Sequence, residues 1–260
     1  MKKIKLGLQI HAVREAFAED YQETFRRVAE MGYAGLELNF WTLKEAPETY
    51  YEELKKNGLE CFGCMFLAKH FPEEELQKVI RACKALGANS TVISSLDATR
   101  IKEDPAYPAE VVEQLAQVHR TLKAAGIQPG YHSHDVDSKR LEEGCSFYEY
   151  VIGHTPADFS MVIDTGNTMA GGDDPIALLK QFPGRTPVLH LKGYGQEKDY
   201  ITPLWESELD MEELLTIALD ECGTETIIVE FGKRGDYEPF DRAEKSLVWL
   251  KDILKKMGRI

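Results

Sequence analysis

A closed (β/α)8 barrel is the α/β fold this sequence predicts, and three observations predict it. Short apolar runs alternate with longer amphipathic stretches from Lys5 onward; eight such pairs follow one another without a linker or a break in composition; and 260 residues is the size of eight βα units. Alternation of this kind calls for parallel strands joined by crossover helices.

The strands are expected at KLGLQI (5–10), GLELN (35–39), ECFGCMF (60–66), STVISS (90–95), QPGYHSH (128–134), FSMVID (159–164), PVLHLK (187–192) and TIIVEF (226–231). Between them, helical patterns run through DYQETFRRVAEMG, ETYYEELKKNG, EEELQKVIRACKALG, PAEVVEQLAQVHRTLKAAG, SFYEYVIG, DPIALLKQFPG, DMEELLTIALDECG and FDRAEKSLVWLKDILKKMG. Gly32, Gly58, Gly87, Gly126, Gly223 and Gly258 stand where a left-handed residue would close a helix. An open doubly wound sheet is the alternative, and it would bring a Gly-rich phosphate turn after the first strand. Here that strand leads into HAVREAF, and neither G-x-G-x-x-G nor a Walker A sequence occurs.

Composition supports one domain over residues 1–260, at 43% hydrophobic and 29% charged. No segment has the apolar length of a membrane span, and the start, MKKIKLGLQIH, alternates like a first strand rather than a signal peptide. The expected compartment is the cytoplasm, with no membrane partner. The net charge of -13, from 44 acidic and 31 basic residues, disfavours a nucleic-acid surface, which needs clustered Lys and Arg. The one dense basic run, Lys251 to Arg259, reads as the solvated face of a last helix.

Five cysteines, an odd number, make no disulfide framework. Cys61 and Cys64 form a C-x-x-C, but within a strand residues three apart point to opposite faces. Structural thiols are therefore expected there, not a redox or zinc pair.

Function is suggested by four consecutive strands that end on metal-type residues. GYHSH, SMVID, PVLHLK and IIVEF bring His132, Asp164, His190 and Glu230 to matching points. In a closed barrel the ends of strands five to eight are lateral neighbours, so one inward group from each converges. Taken singly, each is a rim residue satisfied by loop backbone; taken together, buried polar groups at one mouth need a partner that a cation supplies. Two imidazoles and two carboxylates suit Mn²⁺, Co²⁺, Fe²⁺ or Zn²⁺ better than Ca²⁺, with Mg²⁺ kept in the set.

His134 shares a face with His132, and Lys192 with His190. Lys192 could bind an anion, polarise a carbonyl, form a Schiff base or offset the local acids. Glu37 near the rim of strand two could bind a hydroxyl or pair with a lysine. Gln9, His11 and His70 read first as satisfied loop groups, and Trp41 and Trp205 as loop packing or as a wall against a sugar ring.

Across essentially its whole length the chain resembles the sugar phosphate isomerase/epimerase family with the xylose isomerase-like TIM barrel, which includes AP endonuclease relatives. The marks are LGLQIHAVRE and MGYAGLEL, then YHSHD, then IDTGN, GGDDPIALLKQFPGR, LHLKG and IIVEFG. The resemblance implies a divalent metal held by His132, Asp164, His190 and Glu230. It leaves open whether His132 or His134 is the ligand, with His132 favoured. Departures lie at VDSKR after YHSHD, at Gly193 where an Asp is frequent, and at PLWESELDMEEL.

The activity implied is isomerisation or epimerisation of a small carbohydrate by proton transfer beside a carbonyl, with Glu230, His132 or His134 moving the proton and Lys192 assisting. The same parts would serve a lyase dehydrating a keto-inositol or cleaving a 3-keto-glycoside. Phosphodiester hydrolysis and a non-catalytic sugar-binding subunit rank lower. A homodimer is an expectation carried by the resemblance alone.

Overall fold

The computed structural model describes residues 4–196, 201–232 and 237–260. Eight strands form its centre: β1 Lys5–Gln9, β2 Gly35–Asn39, β3 Glu60–Met65, β4 Ser90–Ile93, β5 Gln128–His132, β6 Ser160–Val162, β7 Val188–Leu191 and β8 Thr226–Val229. They pair in parallel as two arcs, β3-β2-β1-β8-β7 and β4-β5-β6. Two parallel bridges, Phe66 with Ile93 and Asp164 with His190, close the ring. At the first seam Phe66 N–H donates to Val92 O (2.9 Å), and at the second His190 N–H donates to Ile163 O (2.9 Å). All eight expected strands are present in order, ending up to two residues early where the ladder gives way to the polar rim.

Around the ring lie α1 Arg14–Glu19, α2 Tyr21–Met31, α3 Pro47–Lys56, α4 Glu73–Ala85, α5 Ala98–Glu103, α6 Tyr107–Ala124, α7 Phe147–His154, α8 Thr165–Gly171, α9 Pro175–Gln181, α10 Met211–Asp220 and α11 Pro239–Lys256. The eight expected helices are all there; α1, α5 and α8, of six or seven residues, are additional. They are too short to print a 3.6-residue period. α4 illustrates the packing: Leu76, Val79, Ile80 and Cys83 recur at i, i+3, i+4 and i+7 and are buried. Each such leucine contributes about 1.5–3 kcal/mol by leaving water. α2 ends at Gly32, whose φ of 90° is the left-handed closure the sequence predicts.

Inside the ring, Met65, Val92 and Val162 with Val188 make a small apolar layer. One irregularity shapes this interior. The register of β2 against β3 runs Leu36 to Cys61, then Glu37 to Gly63 and Leu38 to Cys64, so Phe62 is the extra residue of a β-bulge. Its ring turns inward into the space beside Gly7 and Gly35, where an added Cβ would meet it at 2.6 Å and 2.8 Å.

The bulge corrects the expectation for the C-x-x-C. Cys61 and Cys64 oppose Leu36 and Leu38, two residues of one face, so both thiols point outward toward the helices instead of to opposite sides. Cys64 and Cys83 of α4 are fully buried, Cys61 is partly buried, and all five cysteines are free thiols. No helix among the described residues is long and apolar enough to cross a membrane.

Candidate active site

Parallel strands deliver one inward side chain from each of β5 to β8 to the C-terminal mouth, and their flanking residues fix how each arrives. His132 is the last residue of β5 and is 2% exposed. Asp164 follows β6 and caps α8: its Oδ1 accepts Asn167 N–H at 2.8 Å, and its own N–H donates to Ser133 Oγ at 2.9 Å. Oδ2 is thereby left facing the barrel axis. His190 lies within β7 and is fully buried, and Glu230 follows β8.

The four groups converge. Ligand-type atoms of His132, Asp164, His190 and Glu230 all lie within 4.8 Å of one another. His190 Nδ1 is 2.8 Å from Glu230 Oε2, and His132 Nε2 is 3.5 Å from Asp164 Oδ2 and 3.6 Å from Glu230 Oε2. Both nitrogens of His132, Asp164 Oδ2 and His190 Nε2 are buried without a well-formed hydrogen bond. Buried polar atoms in that condition cost free energy unless something binds them. A divalent ion among two imidazoles and two carboxylates would satisfy His132 Nε2 and Asp164 Oδ2, so the residues present fit a metal site.

The remaining polar groups form a collar. Lys192 Nζ sits 2.8 Å from Asp164 Oδ2, 3.0 Å from Glu230 Oε1 and 3.1 Å from Asn167 Oδ1. Its stem crosses the first turn of α8 at Gly166, where a Cβ would come within 2.7 Å of Lys192 Cγ. Glu37 Oε2 is 3.1 Å from His190 Nε2 and accepts from Gln9 Nε2 at 3.2 Å. Of the two roles open for Glu37, a hydroxyl contact or a lysine pair, the lysine is absent; its neighbours are a histidine and a glutamine.

Charge follows from these contacts. Burial opposes the charged form of His190, yet Glu37 and Glu230 outweigh it and raise its pKa to about 10. His132 is also raised, against burial, by Asp164 and Glu230. Burial works against ionised Glu230 and Asp164, but Lys192 and then His132 pull both below the usual carboxylate range. Lys192 is held above its ordinary value by Asp164 and Glu230 despite burial. A lysine kept protonated is a poor Schiff-base nucleophile. His134 is lowered to about 4 by burial and by the positive His132 and Lys192, so its imidazole is neutral at neutral pH.

Above these groups opens a cavity of about 460 Å³, lined by Gln9, His11, Asn39, Trp41, Met65, Leu67, Ser94, Ser95, His132, His134, Asp135, Asn167, Lys192, Glu230 and Gly232. A second cavity of about 310 Å³ lies at the other end of the barrel. There Lys5 pairs with Glu60, Ser90 with Phe62 O, and Gln128 with Ser160, so these three polar groups are already satisfied. The C-terminal mouth, where TIM barrels carry their chemistry, is the candidate site.

Most sequence-selected residues meet here, but not all. His132, not His134, joins the four-residue cluster, while His134 stacks edge-on beside it with ring centroids 4.9 Å apart and faces the cavity. Gln9, His11 and Trp41 line the mouth. His70 is buried against Phe40 and the Leu67 backbone, and Trp205 packs edge-to-face on Tyr237 under Lys245. Sequence reasoning missed Asn39, Ser133 and Asn167. Asn167 had a signal, standing three residues after Asp164 in IDTGN, the spacing of a helix cap.

A family model described as Xylose isomerase-like TIM barrel matches residues 25–253. The chain belongs to that family. Among similar proteins is an inosose dehydratase of Mesomycoplasma hyopneumoniae (strain 7448), 28% identical over 198 residues, or 68% of this chain and 64% of the relative. The chain thus matches less than two thirds of that relative's length. A sugar phosphate isomerase/epimerase structure from Parabacteroides distasonis ATCC 8503 superposes with a TM-score of 0.83 at 22% identity, covering 96% of this chain and 94% of the other. Another neighbour, an IOLI protein described with a binding zinc atom, has a TM-score of 0.73 at 16% identity over 97% of this chain and 99% of its own.

Proposed function

We propose that the protein is a divalent-metal-dependent isomerase or epimerase that moves a proton beside the carbonyl of a small carbohydrate. The observation that carries this is the convergence of His132, Asp164, His190 and Glu230 under a polar cavity, with His132 Nε2 and Asp164 Oδ2 lacking well-formed hydrogen bonds. These four would hold the ion, which when bound supplies Lewis-acid stabilisation of oxyanion charge on the substrate.

The chain's own groups account for the rest. The Lys192 ammonium, charged and anchored by two carboxylates, stands at the cavity wall where it can donate to a substrate oxygen gaining negative charge. Glu230 lines the same cavity and is the carboxylate placed to take the proton. Neutral His134 can accept or return a proton from its own side of the cavity. Trp41, Met65 and Leu67 give that cavity an apolar wall for the carbon face of a polyol.

A second reading, β-elimination from a keto-inositol or a 3-keto-glycoside, begins with the same proton transfer and is favoured by the inosose dehydratase relative. One experiment separates the two. Protein loaded with Mn²⁺, Co²⁺ or Zn²⁺ is incubated in D₂O with keto-sugars and a keto-inositol, and products are followed by NMR and mass spectrometry. Deuterium gained at the carbon beside the carbonyl, together with an epimer or aldose–ketose isomer, supports the isomerase. Loss of water or of an aglycone moves the assignment to a lyase. No exchange with any metal would overturn both.

A further inference from the structure

We infer that Glu37 of β2 is a positioning residue for the candidate metal site, holding Nε2–H of His190 so that Nδ1 is the atom presented to the ion. The inference rests on the metal-site reading and adds to it a residue from the far arc of the barrel.

Three observations carry it. His190 lies between two carboxylates, with Nδ1 hydrogen-bonded to Glu230 Oε2 at 2.8 Å and Nε2 3.1 Å from Glu37 Oε2, an ion-pair contact in which Nε2 still lacks a well-formed hydrogen bond. An imidazole can give one nitrogen to a metal only if the other keeps the proton, and a carboxylate behind that proton fixes both tautomer and ring plane. Glu37 is 2% exposed, so its charge is not solvated in the ordinary way. It is also aimed from behind: Gln9 Nε2 donates to Glu37 Oε2 at 3.2 Å and to Asn39 Oδ1 at 2.8 Å, while Gln9 Oε1 accepts His11 N–H at 2.6 Å. Finally, the bulge at Phe62 sets Gly63 opposite Glu37, where a Cβ would approach Glu37 Oε1 to 3.2 Å. An unbulged β3 would put the Phe62 ring there. The strand irregularity thus clears the space the carboxylate occupies.

The test uses the full chain in three forms, wild type, Glu37→Gln and Glu37→Ala, with Zn²⁺ and Co²⁺ as probes. Metal affinity is read by competition with a chromogenic chelator. His190 ligation is read from ring ¹⁵N shifts in the Zn²⁺ form and from the Co²⁺ visible spectrum. Wild type is expected to show Nδ1 ligated with Nε2 protonated. Both variants should bind Zn²⁺ about 10–100-fold more weakly, as loss of a partner behind a ligand does. The Ala variant should show a changed Co²⁺ spectrum or a mixed tautomer. The near-isosteric Gln variant guards against misfolding of Ala, since its amide oxygen can still accept Nε2–H while the charge is gone.

Wild-type affinity and an unchanged Co²⁺ spectrum in both variants would overturn the role of Glu37 and leave the metal reading standing. Ligation through Nε2 in wild type would overturn the inference outright. A wild type that takes up neither metal would overturn the site and the inference together.

Discussion

Asp164 does two jobs with two oxygens, and substitution can separate them. Oδ1 caps α8 through Asn167 N–H at 2.8 Å, and Oδ2 faces His132 and Lys192 in the cluster. Serine is a good cap that lacks the second oxygen, whereas alanine supplies neither. Asp164→Ser and Asp164→Ala both remove the anion beside Lys192, so that cost cancels in their difference. What remains is the cap, about 1 kcal/mol within a range of about 0.5–2. α8 has only seven residues and cannot hold itself without help at its start. For a chain of this size about 1 kcal/mol is about 2–4 °C in Tm. Thermal unfolding should be measured on chelator-treated protein, because bound metal would add its own stabilisation. Ser should melt above Ala by that margin, while mass spectrometry finds metal lost from both after loading. Equal melting of the two would refute the cap, and a Ser variant that retains wild-type metal would refute the role of Oδ2.

Three further outcomes are expected. His134→Gln should keep wild-type metal content and lower kcat by about 10²–10⁴-fold, the usual share of a positioned acid or base; metal loss in this variant would put His134 among the ligands. Metal uptake should release protons at neutral pH, since His190, raised to about 10 without metal, must give up a proton to bind. Affinity should therefore rise with pH, and titration calorimetry in buffers of different ionisation heat counts the protons; none released at pH 7 would contradict the charge scheme. Lastly, Asp137 is buried and its pKa is raised to about 7. The native state then binds the extra proton between about pH 4 and 7, so this group's stabilisation is present at low pH and is withdrawn as pH rises through 7. Asp137→Asn should flatten that part of the stability profile in denaturant titrations, and an unchanged profile would count against it.

The fold was legible because parallel barrel strands are buried on both faces and leave short apolar runs that periodicity finds. The four converging side chains were legible for a related reason: one charged or imidazole group ending an apolar strand is ordinary, but four in register at one mouth need a common partner. Glu37 was visible as a rim group but its partner was not, because His190 lies 153 positions later and only ring closure brings them together. Cys61 and Cys64 were assigned to opposite faces because strict alternation was assumed, and a bulge leaves no mark in composition. α1, α5 and α8 escaped because two turns cannot establish a period.

Phe62 has a consequence for how such a barrel can change. With the bulge, Cys61, Gly63 and Cys64 already face Leu36, Glu37 and Leu38, so the ladder would keep the same partners if Phe62 were absent. The residue is surplus to the sheet and free to serve the interior, where its ring fills the gap left by Gly7 and Gly35. Floor and rim are thereby uncoupled: loss of Phe62 would deepen the chamber while every side chain at the mouth keeps its register partner.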